Sequence, residues 1–332
     1  SRGVAIPFGI FRQETLDQPY PGGEGTVFEW MAKSYDRLEA MPGGDPETEK
    51  ATEAFRAELY DIIINTTPSE KFQQRLKAAL RETFGSEDPP GVFVRSDTNV
   101  EDLAGFTGAG LNLTLPNVVG SENLVRSISK VWASPFTARA FAWRQSHMTD
   151  PEHVYTSILL LESVASDKSG VLVTQDIDTG NRGIISVAVN EGLGGAVDGQ
   201  AAESLRIPLD GSQVQVLATA TAPWRRFPDP RGGLLFLPSS GSDYVLQPEE
   251  IAQLIDFAAH LPDKFPPIVD DQGKPAPADV EFGFLGGDLR LFQLRPFLDS
   301  KAAKGIEYLH EMEARHTSAG AKTVDMNGVP EK

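Results

Sequence analysis

No cysteine occurs anywhere in the 332 residues, which removes disulfides, thiolate zinc sites and cysteine nucleophiles at once. The same absence fits an oxidising or a reducing compartment. Histidine is scarce: His147, His153, His260, His310 and His316 show no metal-ligand spacing, and each reads as a surface or helix-end residue. No Gly-x-Ser-x-Gly elbow is present, and no Ser-His-Asp set can be assigned. No apolar run reaches the ~18 residues that a membrane-spanning helix needs. The opening residues, Ser1 to Gly9, lack the pattern of a signal peptide. These absences set the expectation of a cytoplasmic protein with no membrane partner. Positive charge is also in deficit, with 30 Lys and Arg against 47 Asp and Glu, a net charge of −17. That excludes a general nucleic-acid binder but leaves room for a local basic pocket.

What is present is the composition of a globular chain, 40% hydrophobic and 23% charged, long enough for one large or two ordinary domains. The Gly- and Pro-rich start holds one apolar run, 4–11, read as a strand or extended segment. From 26 to 84 the apolar spacing is helical, over 28–41 and 46–64. Thr67-Pro68-Ser69-Glu70 has the form of a capping box opening a further helix to Phe84. A β-branched strand then delivers Arg95 into a polar loop, followed by Gly105, Gly108 and Gly110 and the alternating Leu111, Leu113 and Leu115. Glycines let backbone amides approach an anion, and a strand-end arginine can complete a phosphate cradle or a structural ion pair. Ser121 reads as the cap of a helix with Leu124, Ile128, Val131 and Trp132 on one face, and 136–147 as another helix.

After 153 the texture is that of strands, 154–164, 170–177 and 183–189, with no helix between them, which predicts an antiparallel sheet. The glycine-rich stretch 190–199 reads as a ligand lip or a tight turn. Short strands surround a loop at 221–233, and a helix runs from Pro248 to Leu261.

The most informative stretch is Asp279 to Phe297, two alternating runs about Gly286-Gly287-Asp288, the pattern of a β-hairpin. A three-residue loop pairs Leu285 with Leu289, Gly283 with Leu291, Glu281 with Gln293 and Asp279 with Arg295. One face then carries Asp279, Glu281, Gln293 and Arg295; the other carries Val280, Phe282, Phe284, Phe292 and Leu294. A two-residue loop would set Glu281 opposite Phe292 and mix the faces. The polar face is either a salt-bridged surface or a Mg²⁺-phosphate site, since Mg²⁺ takes carboxylate, phosphate and water oxygens and an arginine fork suits phosphate.

Taken together, Val94-Arg95-Ser96-Asp97-Thr98-Asn99-Val100-Glu101-Asp102-Leu103, Gly108-Ala109-Gly110, Pro116-Asn117-Val118, Trp132-Ala133-Ser134, Arg139-Ala140, Ser169-Gly170-Val171, Gly192-Leu193-Gly194 and Asp279-x-Glu281 … Gln293-x-Arg295-Pro296 resemble a family. It is the nucleotide-binding domain of phosphoenolpyruvate synthase and pyruvate phosphate dikinase, shared with glucan water dikinase and rifampin phosphotransferase. The resemblance implies an α+β, ATP-grasp-like fold of two lobes with mainly antiparallel sheets. Its parts would be 1–90 (leading segment and helices of the first lobe), 91–152 (phosphate loop), 153–298 (β-rich lobe) and 299–332 (C-terminal helix and tail). It implies ATP and Mg²⁺ as cofactors, and a kinase activity passing phosphoryl groups to a histidine on a separate domain. Arg95 and Arg295 would hold phosphates as the catalytic pair, Glu281 and Gln293 would ligate Mg²⁺, and Asp279 would support that site. Glu162 and its neighbours would meet the adenine.

Three departures stand beside the resemblance. The family's glycine-rich segment with a phosphate-binding lysine would precede Pro7-Phe8-Gly9, and the first lysine here is Lys33. The family's glutamate after Gly-Leu-Gly is Gly195, for which Glu191 or Asp198 is a candidate substitute. No phosphohistidine motif appears. The expectation is a chain that binds nucleotide without turning it over usefully; the alternative is a degenerate module that binds nucleotide or a partner without phosphoryl transfer.

Overall fold

In a computed structural model of the protein, residues 2–89, 91–100, 102–103, 106–107, 113–145, 148, 150–196, 199–270 and 272–297 are described. The expected helix at 299–314 with its tail, Gly108-Ala109-Gly110, Asp198, His147, His310 and His316 lie outside them.

The helical periodicity of 26–84 resolves into Val27–Glu39, Pro46–Ile64 and Glu70–Phe84. The first opens on a reciprocal capping box between Thr26 and Glu29. At the third, the expected box starting at Thr67 is absent. Ser69 is the N-cap and accepts from the Phe72 amide at 3.2 Å. The carboxylate that completes the cap is Glu14, which accepts from Ser69 N at 2.7 Å and Ser69 Oγ at 3.0 Å. A long-range partner has replaced the local one. The opening strand is shorter than its apolar run, Gly3–Ile6, because Pro7 starts a helical turn at Phe8–Phe11 that continues as a π-helical turn, Arg12–Leu16. The helix expected to be capped by Ser121 spans Ser121–Ala133 with Gly120 as N-cap, and the next is Ala138–Gln145.

These helices pack on one face of a four-stranded antiparallel sheet, in the order Gly3–Ile6, Thr156–Glu162, Val92–Thr98, Thr114–Val118. Strand alternation divides its side chains. Val92, Val94, Ile158 and Leu160 are buried with Phe11, Leu59, Ile63 and Trp132 in one core, while Phe93, Arg95, Leu159 and Leu161 face the opposite way, into a cleft.

The second core belongs to a six-stranded antiparallel sheet, in the order Gln215–Ala218, Glu203–Pro208, Ile184–Glu191, Lys168–Val173, Ala278–Leu285, Asp288–Pro296. The helix Pro248–Ala259 packs on it through Leu254, beside Leu172, Val280 and Phe284. This arrangement corrects the grouping of 154–164 with the strands that follow it. Thr156–Glu162 pairs with the arginine strand Val92–Thr98 in the first sheet, and the chain crosses between the sheets at 163–167. The region read as a loop at 221–233 contains a strand, Trp224–Pro228, that forms a separate hairpin with Leu234–Pro238. The architecture is thus α+β, helices with antiparallel sheets. Among the described residues no helix is long and apolar enough to cross a membrane.

Candidate functional site

The terminal hairpin keeps the expected pairs Asp279–Arg295 and Glu281–Gln293 but reaches them by another route. Its loop has two residues, Gly286 and Gly287, both with positive φ (60° and 84°), the backbone that suits a tight right-twisted hairpin and favours glycine. The register slip that such a loop imposes is absorbed by a bulge. Glu281 pairs with Gln293 and Phe282 with Leu291, leaving Phe292 as the extra residue. Phe292 is therefore not on the buried face with Phe282 and Phe284; it lines the cleft. Its ring lies over Gly283, where an added Cβ would stand 2.7 Å from Phe292 Cε2. A glycine inside a strand is the sequence signal that marks such a bulge.

Arg95, on an inner strand of the first sheet, meets this face. Its Nη2 donates to Gln293 Oε1 at 2.5 Å and lies 3.8 Å from Glu281 Oε2. Residues 198 positions apart thus form one cluster that ties the two sheets together. One step further along the hairpin, Arg295 Nε donates to Asp279 Oδ2 at 2.8 Å. Arg95, Glu281 and Gln293 line the cleft; Asp279 and Arg295 are not among its lining residues. Glu162 borders it too, at the end of its strand and 3.6 Å from Arg2.

The cleft holds about 550 Å³ and its walls are largely apolar, with Phe93, Leu159, Leu161, Leu193, Leu234 and Phe292 contributing. That is the size and character of a small-molecule site, with the polar cluster to orient what enters. A larger hollow of about 740 Å³ lies among the helices, but its charged lining is Glu14, Glu58 and Asp61, which would repel phosphates. Among the described residues no three His, Asp or Glu side chains gather as metal ligands. The hard oxygens at the polar end of the cleft are the Glu281 carboxylate and Gln293 carboxamide, a donor set that Mg²⁺ completes with phosphates and water.

The Gly192-Leu193-Gly194 turn is both a lip and a tight turn. Ser169 Oγ donates to Gly192 O at 2.6 Å and accepts from Gly194 N at 2.8 Å, which holds Leu193 and Gly194 against the cleft. At Gly195 an added Cβ would stand 2.6 Å from Gln200 Oε1 and 2.8 Å from Asn190 Cβ, so a larger residue needs both neighbours to move. Glu191 is engaged elsewhere, accepting from Ser240 N at 2.9 Å and lying 3.7 Å from Arg225. The charged cleft residue that sequence reasoning missed is Arg226, on the hairpin at 224–238. The Pro and Arg content of Trp224-Arg225-Arg226-Phe227-Pro228 disguises that strand.

Residues 32–315 match the family model of the pyruvate phosphate dikinase AMP/ATP-binding domain. The chain belongs to this family. Over 315 residues the domain is 28% identical to the phosphoenolpyruvate synthase of Pyrococcus furiosus, an alignment covering 87% of this chain and 37% of that protein. It is 27% identical over 274 residues to a probable phosphoenolpyruvate synthase of Methanothermobacter thermautotrophicus, covering 78% of this chain and 37% of the relative. A shorter match, 36% over 138 residues, joins 41% of this chain to 16% of the rifampicin phosphotransferase of Bacillus cereus. The domain thus spans well under half the length of these relatives.

Proposed function

We propose that the cleft binds MgATP and that the domain is the nucleotide-binding, ATP-grasp-like part of a phosphotransferase related to phosphoenolpyruvate synthase. The observation that carries the reading is the cluster of Arg95, Glu281 and Gln293, assembled from both sheets at the polar end of an apolar cleft. Base and ribose take the apolar part, with Glu162 and the crossing segment 163–167 near the base. Arg95 holds phosphates inside the cleft; Arg295, paired with Asp279 just beyond the lining residues, would meet only phosphates that extend past its polar end. Glu281 and Gln293 ligate Mg²⁺, whose chemistry when bound is to neutralise charge on the phosphates. Arg95 donates to Gln293 Oε1 and lies beside Glu281, so with these oxygens on a metal the guanidinium would be free to turn to the phosphates. Phosphoryl transfer asks for this positioning and charge neutralisation more than for covalent help. The phosphoryl group passes on to a histidine of a separate domain. The domain divisions at 90 and 298 belong to the same proposal, while the one expected at 152 moves to the crossing at 163–167, because Thr156–Glu162 lies in the first sheet.

A second reading, a non-catalytic nucleotide-binding module, rests on Gly195 alone, where the glutamate of the family pattern would fit only if Gln200 and Asn190 moved.

Titrating ATP with and without Mg²⁺ tests the first reading. Arg95→Ala should weaken ATP roughly ten- to a hundredfold, as expected for losing hydrogen bonds to a charged group, and adenosine far less. Glu281→Gln should abolish most of the Mg²⁺ dependence with the fold intact, since Phe282 and Phe284 on the buried side are untouched. An unfolded Glu281→Gln chain would make the carboxylate structural instead.

A further inference from the structure

Of Pro116-Asn117-Val118, conspicuous in the sequence, Pro116 lines the cleft while Asn117 and Val118 do not. Asn117 lies on the edge strand of the first sheet with φ of 50°, the one non-glycine residue of positive φ among the described residues, and is 2% exposed. Its Nδ2 donates to Asp229 O at 2.8 Å and to Gly233 O at 2.7 Å, and Gly233 N donates back to Asn117 O at 2.9 Å. Space for the carboxamide exists because residue 91 is glycine: a Cβ there would stand 2.2 Å from Asn117 Oδ1. Asparagine suits the position on two counts, tolerating the left-handed backbone and supplying two donors.

These bonds grip the tip of the hairpin at 224–238. Its first strand is fixed at mid-length to the turn that follows the second-sheet strand Ile184–Glu191. Gly192 bridges Arg226, and Leu193 N donates to Arg226 O at 2.9 Å. Gly192 has φ of 75°, and a Cβ on it would stand 2.4 Å from Arg226 O. The hairpin therefore spans the cleft from sheet to sheet. Its register puts Arg226 and Leu234 on one face, and both line the cleft. We infer that Asn117 is a positioning residue for the nucleotide: it latches this hairpin across the cleft and so holds Arg226 and Leu234 as the outer wall. The inference rests on the reading of the cleft as the ATP site.

The test compares ATP dissociation constants, with Mg²⁺ present, for Asn117→Gly, Asn117→Asp, Arg226→Ala, the double variant Asn117→Gly/Arg226→Ala and, as reference, Arg95→Ala. Asn117→Gly keeps the left-handed backbone and removes the carboxamide alone; Asn117→Asp keeps the shape and turns donors into oxygens facing carbonyls. Each should weaken ATP about tenfold, the scale of one or two lost hydrogen bonds. The double variant should fall well short of the product of the single losses, because the latch acts through the hairpin that carries Arg226. Unchanged affinity in both Asn117 variants, with only a lower melting temperature, would reduce Asn117 to a structural brace and overturn the inference; so would losses that multiply. Arg95→Ala separates the failures. If it too leaves ATP binding untouched, the cleft is not the nucleotide site; if it weakens binding and the Asn117 variants do not, the latch alone is wrong. Should the Asn117 variants not fold, hydrogen exchange on the unaltered chain decides. ATP should slow exchange of the amides at 224–238, and an unchanged rate there would count against the latch.

Discussion

The hairpins at 278–296 and 224–238 border the same cleft, the first built into a sheet along its length and the second held by a few separate ties. Ala278–Leu285 pairs on both edges, with Lys168–Val173 and with Asp288–Pro296, and Val280, Phe282 and Phe284 are at most 2% exposed. Among the described residues Trp224–Pro228 forms its ladder only with Leu234–Pro238, and Trp224 and Phe236 are 51% and 56% exposed. Burying a large apolar side chain is worth about 1.5–3 kcal/mol, so the terminal hairpin is a fixed wall. The other depends on the Asn117 bonds, the Gly192 bridge and the Arg225–Glu191 pair. A rigid wall suits the proposed metal ligands Glu281 and Gln293; a strap held by a few ties suits an element that borders what enters.

The sharpest way to break this contrast is to truncate matched aromatics. Phe282→Ala should destabilise the protein by about 3–5 kcal/mol, the usual cost of emptying a core aromatic site, read from urea unfolding. A smaller effect is expected at the joint between the two regions. Gly192→Ala sets a Cβ against the Arg226 backbone at a positive φ, strain of about 1–3 kcal/mol. Here the hairpin is expected to lift from the second sheet, weakening ATP along with stability. The smallest effect belongs to Phe236→Ala, within about 0.5 kcal/mol as for exposed positions generally. If chemical unfolding shows Phe236→Ala as costly as Phe282→Ala, the strap is no strap, and the two hairpins are equivalent walls.

Local pattern carries much of this molecule and then stops at identifiable places. The period of 26–84 gives the helices, because their packing faces repeat at helical spacing. Alternation in 279–297 gives the face shared by Glu281 and Gln293, and β-branched texture gives the strand that bears Arg95. Their meeting is not written in either segment. Neither is the partner of Thr156–Glu162, whose apolar run reads the same whichever sheet takes it, nor the cap supplied to Ser69 by Glu14 from across the lobe. The strand at Trp224–Pro228 is hidden because its Pro and Arg content masks any apolar alternation, and it is held by a backbone bridge at Arg226 and an asparagine amide at the hairpin tip rather than by an apolar face. In each case the deciding contact is distant in sequence, where propensity and period carry no information.

The bulge at Phe292 has a consequence for how this hairpin tolerates change. An odd number of residues, 282 to 292, separates Glu281 from Gln293. A tight turn of two residues uses up an even number, so one residue is always left over. Here it is stored in the strand; a three-residue turn would store it at the tip and deliver the same pair. What must be preserved is therefore parity rather than turn type. The tip and the site end of the hairpin are free to drift separately in length and shape, provided that insertions and deletions between them come in twos or are matched by a bulge gained or lost.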